Sequence, residues 1–177
     1  GAQFRLGYMF EDGQGVPQDY AEGAKWYRLA AEQGNTDAQI RLSSLYHIGL
    51  GVPQDYREAA KWVRKVAEKG VAGAESQMGH MYYIGEGLPQ DYALALQWYR
   101  KAARKGHTAA EARLGLMYEN GWAVRRDFSA AVKWYRKAAG KGERGTQVDL
   151  GRMFAKGRGV PRDYTEAANW FRKAAVD

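Results

Sequence analysis

The chain has 177 residues, 45% of them hydrophobic and 27% charged, a balance that suits one folded domain with its own core and excludes wholesale disorder. No apolar run approaches the roughly 20 residues that cross a bilayer, and the absence of cysteine removes disulfides, thiolate nucleophiles and cysteine-held metal together. The net charge of +7 admits an acidic partner only where the charge is gathered in one place.

The start, Gly1-Ala2-Gln3-Phe4-Arg5, carries neither an initiator Met nor a charged-then-apolar leader, and reads as the beginning of a piece of a longer chain. From there a period governs everything. Trp26, Trp62, Trp98, Trp134 and Trp170 fall 36 residues apart, and Asp19, Asp55, Asp91, Asp127 and Asp163 keep the same step. Five repeats follow, over 1–36, 37–72, 73–108, 109–144 and 145–177, making one domain over 1–177. Each reads as two helices. In the first repeat, Ala2, Leu6, Met9 and Phe10 recur at helical spacing, predicting a first helix over about 2–10. Gly13 stops it, as Gly49, Gly85, Gly121 and Gly157 stop its copies. A Gly-Val-Pro-Gln turn leads to Asp19, and the Asp19/Glu22, Asp55/Glu58 and Asp163/Glu166 spacings predict reciprocal capping boxes. The second helix is expected from Tyr20 to about Gln33, and its last copy to end at Asp177. Thr36 with Gln39, and Thr108 with Glu111, predict the caps of two later first helices.

These residues carry a family likeness. Leu114-Gly115-Leu116-Met117-Tyr118 and Ala131-Val132-Lys133-Trp134-Tyr135-Arg136-Lys137-Ala138-Ala139 resemble the Sel1-like repeat, a branch of the tetratricopeptide-repeat superfamily, over essentially the whole chain. The resemblance implies an all-α fold, a right-handed α/α superhelical solenoid of helix-turn-helix repeats, with a scaffold or adaptor role for other proteins, and it does not imply an activity. Some exported members pair cysteines within each repeat; this chain has none.

Comparison of the five repeats separates two sides of the first helix. Positions 2, 6, 7, 9 and 10 recur, as a packing face must when every interface repeats. Positions 4, 8, 11 and 12 differ from repeat to repeat, and the resemblance places them on the concave groove. The candidate groove therefore runs Phe4, Tyr8, Glu11 and Asp12; Ile40, Ser44, His47 and Ile48; Ser76, His80, Tyr83 and Ile84; then Leu116, Glu119 and Asn120 beside Ala112; then Arg152 and Lys156 beside Val148 and Ala155. Such a mixture of aromatic, aliphatic and polar groups suits a peptide or a partner's helix. Trp122 replaces Gln14, Leu50, Glu86 or Arg158 in the turn and is a candidate loop contact.

The Trp column itself is expected to pack between helices. No metal, cofactor or reaction is expected, because His47 and His80 lack a third ligand and no HExxH pattern occurs. The charge by repeat runs −2, +2, +1, +4 and +2, graded along the chain, with Arg28 and Glu32, and Arg64 and Glu68, placed for outer-face ion pairs. A protein or peptide is therefore the expected partner. The alternative, nucleic acid or another acidic polymer on the basic C-terminal half, needs a focused patch. A structural segment of a longer array is the remaining reading, since Trp170, Phe171 and Ala174 form an uncapped face open to end-to-end self-association.

Overall fold

The computed structural model describes residues 1–176; Asp177, where the last helix is expected to end, lies outside the described residues. Among the described residues the chain is all-helical, with ten helices and no strand. It divides into two compact units, Gly1–Asp91 and Tyr92–Asp177. The first contains α1 (Ala2–Asp12), α2 (Tyr20–Glu32), α3 (Thr36–Ile48), α4 (Tyr56–Glu68) and α5 (Ala72–Ile84). The second contains α6 (Tyr92–Arg104), α7 (Thr108–Asn120), α8 (Phe128–Ala139), α9 (Arg144–Lys156) and α10 (Tyr164–Val176). Odd-numbered helices are the first of each repeat and even-numbered ones the second.

The five helix-stopping glycines all take the left-handed conformation, with φ between 64° and 77°. The Asp caps form too: Asp19 accepts from the amides of Ala21 and Glu22, and Asp55 from those of Arg57 and Glu58. The reciprocal half of the expected box is absent, for a physical reason. The amides of Asp19, Asp55, Asp127 and Asp163 already donate across the hairpin, to the carbonyls of Phe10, Tyr46, Tyr118 and Phe154 at 2.9–3.0 Å. The glutamates are left to local partners: Glu22 pairs with Lys25 and Glu58 with Lys61, each at 2.7 Å, and Glu166 accepts from the Trp170 indole. The caps of the first helices sit one residue earlier than expected. Asn35 accepts from the amide of Ala38 and His107 from that of Ala110, so Thr36 and Thr108 are the first helical residues.

The expected Trp core is displaced by one residue. Trp62 is buried, but Trp26, Trp98, Trp134 and Trp170 are only half-buried. The Lys65, Lys101, Lys137 and Lys173 ammonium groups stand 4.1–4.4 Å over the Trp62, Trp98, Trp134 and Trp170 rings, a cation–π contact at one-turn spacing. The sealed aromatics are their neighbours Tyr27, Tyr99 and Tyr135, at most 1% exposed. Each step along a helix turns the side chain by about 100°, so Tyr points inward where Trp lies across the seam. Tyr27 faces Gly7 and Tyr135 faces Gly115; a methyl on either glycine would stand 2.7 or 2.4 Å from the ring.

Arg28 and Arg64 are not outer-face partners of Glu32 and Glu68. Arg28 donates to the Tyr46 hydroxyl and Arg64 to that of Tyr82 at 2.7 Å, and Arg100 repeats the contact on Tyr118 at 2.8 Å. A fork of five donors reaching a phenol that is buried in Tyr46 and Tyr82 and half-buried in Tyr118 binds consecutive repeats, where a surface ion pair would contribute little.

The second glycine of the turn is fixed by a close approach. A methyl at Gly51 would lie 2.3 Å from the Tyr20 carbonyl, and one at Gly159 2.3 Å from that of Phe128. The fourth repeat carries Ala123 there, with φ 56°, a conformation that costs an L-residue about 1 kcal/mol or more. Ala123→Gly is therefore expected to stabilise the protein by about 0.5–1 kcal/mol, the relief being partly offset by the entropy of the unfolded glycine. A urea midpoint that falls instead of rising would show that the turn accommodates the methyl without strain.

Candidate functional site

The first helices expose what their packing faces do not use. The large hydrophobic side chains exposed on these helices, among the described residues, are Tyr8, Ile40, Ile48, Ile84 and Val148, all at the variable positions 4, 8 or 12. Ile48 is 59% exposed and Ile84 44%. Ile stands at position 12 in the second and third repeats, where the first, fourth and fifth carry Asp12, Asn120 and Lys156.

The other candidates divide by what they touch. Phe4 is half-buried and packs on the core, its ring 5.5 Å from Tyr27, so it is partly structural. Ser76 is buried and does not reach the free surface, a correction that follows from its short side chain. Ser44 bends back to the Ile40 carbonyl at 3.1 Å and Asn120 to that of Leu116 at 2.9 Å. Asp12 accepts from the Gln14 amide at 2.6 Å.

In the first unit, His47 is drawn to Glu86 of the next turn at 3.3 Å and meets the Tyr56 ring edge-on at 5.3 Å. His80 stacks on Tyr83 at 6.4 Å. Glu11 accepts from the Tyr27 hydroxyl and lies 3.7 Å from Arg41. In the second unit, Glu119 accepts from the Tyr135 hydroxyl at 2.7 Å. Burial first, then these carboxylates, raises both phenols above the ordinary tyrosine range. Glu119, Arg152 and Lys156 share a cleft of about 110 Å³ with Met153 and Arg158. Leu116 lines a second cleft of about 260 Å³ with Ala112, Arg113 and Asp149. Burial holds the Asp149 carboxyl above its usual range, against the pull of Arg152 at 2.6 Å.

Trp122 stacks on Tyr92 of the preceding repeat, the rings 5.7 Å apart and 11° from parallel. Its turn position does the same elsewhere: Arg158 sits 5.5 Å over Phe128, and Glu86 meets His47 beside Tyr56. This turn residue thus latches onto the repeat before it.

A second latch was hidden from the sequence. Lys69 donates to the Gly34 carbonyl and to Gln39, at 2.8 and 2.9 Å, and Lys141 to the Gly106 carbonyl and Glu111, at 2.8 and 2.7 Å. The signal was present as two recurring columns, Gln39/Glu75/Glu111/Gln147 and Lys69/Lys105/Lys141, whose partnership crosses repeats. No group of three or more His, Cys, Asp or Glu residues that could hold a metal occurs among the described residues, and no described helix is long and apolar enough to cross a membrane.

Tandem antiparallel helix pairs, stapled repeat to repeat and presenting a variable face, define a helical-repeat scaffold. The family model for the Sel1 repeat matches residues 1–35, 36–71, 72–107, 108–143 and 146–175, and the chain belongs to the Sel1-repeat family, a non-enzymatic family whose members are in general protein-interaction scaffolds. It is similar to a Sel1 repeat protein from Oxalobacter formigenes, at 40% identity and TM-score 0.93, covering 98% of this chain and 72% of that one. It is equally similar to c5321, a protective antigen of uropathogenic Escherichia coli displaying an SLR fold, at 40% identity and TM-score 0.92. The match covers 98% of this chain but only 37% of that protein. Helicobacter pylori cysteine rich protein B, at 24% identity and TM-score 0.53 over 66% of this chain and 88% of that one, shares the fold. No curated protein matches the chain.

Proposed function

We propose that the chain is a protein-binding scaffold that reads a peptide, or one helix of a partner, on the variable face of its first helices. One observation carries the reading: the exposed aliphatic and aromatic side chains of those helices stand at the positions that differ between repeats. A scaffold of constant packing with a variable exposed face separates folding from recognition, so a partner can be chosen without disturbing the core. The mixture of Ile with His, Tyr and Ser supplies apolar anchors beside adaptable hydrogen-bonding groups.

His47 is tied to Glu86, so the most direct test uses exposed residues outside the buried core. Ile40→Ser, Ile48→Ser and Ile84→Ser together lie in the first unit and should leave the urea midpoint nearly unchanged, as exposed substitutions do. Peptides selected from a displayed random library on the intact chain should lose about tenfold or more in affinity for this variant, the loss expected from removing one or two buried anchors. A control reversal at Arg57, exposed on α4, should change little. Selected peptides that bind the Ile variant as tightly as the parent would refute the proposed face.

A further inference from the structure

We infer that the turn of the fourth repeat, in the second unit, is a separate binding site for acidic peptide segments, built on an arginine-flanked phenylalanine. Two linked replacements create it. In the first two repeats, Gln18 and Gln54 tie the turn to the end of the first helix through the carbonyls of Glu11 and His47, and donate also to the Tyr20 and Tyr56 hydroxyls, all at 2.8–3.0 Å. In the fourth repeat Arg126 stands where the Gln would, and Phe128 where the Tyr would. Both halves of the Gln–Tyr hydrogen bond are lost together. Arg125 replaces the turn proline beside them.

What replaces that bond is a cationic pocket. The Arg126 guanidinium carbon lies 5.4 Å from the centre of the Phe128 ring, and that of Arg158, from the next turn, lies 5.5 Å from it. A guanidinium held against a ring keeps its hydrogen-bonding edge for a planar oxyanion, which it can grip with two parallel bonds. Arg125, Arg126 and Phe128 line an open cavity of about 630 Å³ with Tyr118, Val124 and Ser129. Among the described residues no carboxylate lies within ion-pair distance of Arg125, Arg126 or Arg158. The one acid lining the cavity, Asp127, has Oδ1 engaged as the cap of α8, accepting from the Ala130 amide at 2.9 Å.

Concentrated positive charge around an apolar floor fits a carboxylate next to an apolar side chain. A peptide with Asp or Glu beside Leu or Val offers both. A nucleic-acid strand would instead call for a track of cations spaced along the backbone, whereas Arg126 and Arg158 converge on one ring.

The test is fluorescence anisotropy with a dye-labelled peptide alternating Glu and Leu, titrated with the intact chain. Arg125→Pro with Arg126→Gln restores the Pro-Gln pair of the first three repeats' turns, so it should fold, and circular dichroism checks that it does. Arg158→Gln probes the same ring without touching that turn. Each is expected to weaken binding by about tenfold, the loss of one charge-assisted bidentate contact, and added salt should weaken the parent complex. The Ile40, Ile48 and Ile84 variant should bind this peptide as the parent does, which separates this site from the first-helix face. No binding by the parent, or undiminished binding by both arginine variants, would overturn the site. Tighter binding of an oligothymidylate of equal charge would overturn the choice of ligand.

Discussion

Gly115→Ala is expected to destabilise the protein by about 2 kcal/mol, although alanine is the better helix former by up to about 1 kcal/mol. The added methyl would stand 2.4 Å from two ring carbons of Tyr135, closer than non-bonded carbons approach. The ring cannot step aside, since it is 1% exposed and its hydroxyl is held by Glu119 at 2.7 Å. Overpacking a sealed core costs about 1–3 kcal/mol, and here the upper part of that range has to outweigh the propensity gain. The second repeat contains its own control. There the equivalents are Ser43 and Val63, both buried: a side chain appears on the first helix where the ring on the second has shrunk. Tyr135→Val alone should cost about 3 kcal/mol through the cavity it opens. Combined with Gly115→Ala it should cost clearly less than the two losses added, by about 1–3 kcal/mol of coupling. Simple additivity in urea melts would show that methyl and ring never meet.

The same pair shows what the sequence makes legible. The period, the helix stops at Gly13 and its copies, and the Asp caps are local signals, set within a few residues, and all appear where expected. Which aromatic seals the core is a finer question. Trp26 and Tyr27 are neighbours in sequence, and a helical pattern assigns a side of the helix but not the depth to which each ring is covered. Tyr27 goes to the bottom because Gly7 leaves room for its ring; Trp26 stays at the seam. The exposure of Ile40, Ile48 and Ile84 was legible from comparison of the repeats, since they stand at positions that differ among the five and are exposed. Ser76 and Phe4 stand at such positions too, yet one is buried and the other packs on the core, because exposure depends on side-chain length and on the neighbours. Contacts between repeats were the least legible. His47 with Glu86, Trp122 with Tyr92, and Lys69 with Gln39 each join residues about thirty or more positions apart, where spacing within one repeat says nothing.

Lys141→Met should cost about 2–3 kcal/mol, the largest loss expected from any side chain outside the hydrophobic core. The Glu111 side chain is only 4% exposed, and Lys141 donates to both of its oxygens, at 2.8 and 2.7 Å, and to the Gly106 carbonyl at 2.8 Å. Methionine keeps the length and the apolar stem but strips the buried carboxylate of its cation. Breaking such a pair from one side costs about 3–5 kcal/mol when both partners are buried. Lys141 is 40% exposed, so water can reach part of the vacated place and the lower figure applies. The first unit provides the comparison. Lys69 makes the same contacts to Gln39, a neutral amide that also donates to the Ala31 carbonyl at 2.9 Å, so Lys69→Met should cost only about 1 kcal/mol. Glu111→Gln should then rescue Lys141→Met, because an amide at this position can turn inward as Gln39 does and as Gln147 does toward the Ala139 carbonyl. Urea midpoints of the two lysine variants and the double variant decide the matter. Equal losses at Lys69 and Lys141, with no recovery in the double variant, would mean that the lysine stem and not the buried charge pair holds the repeats together.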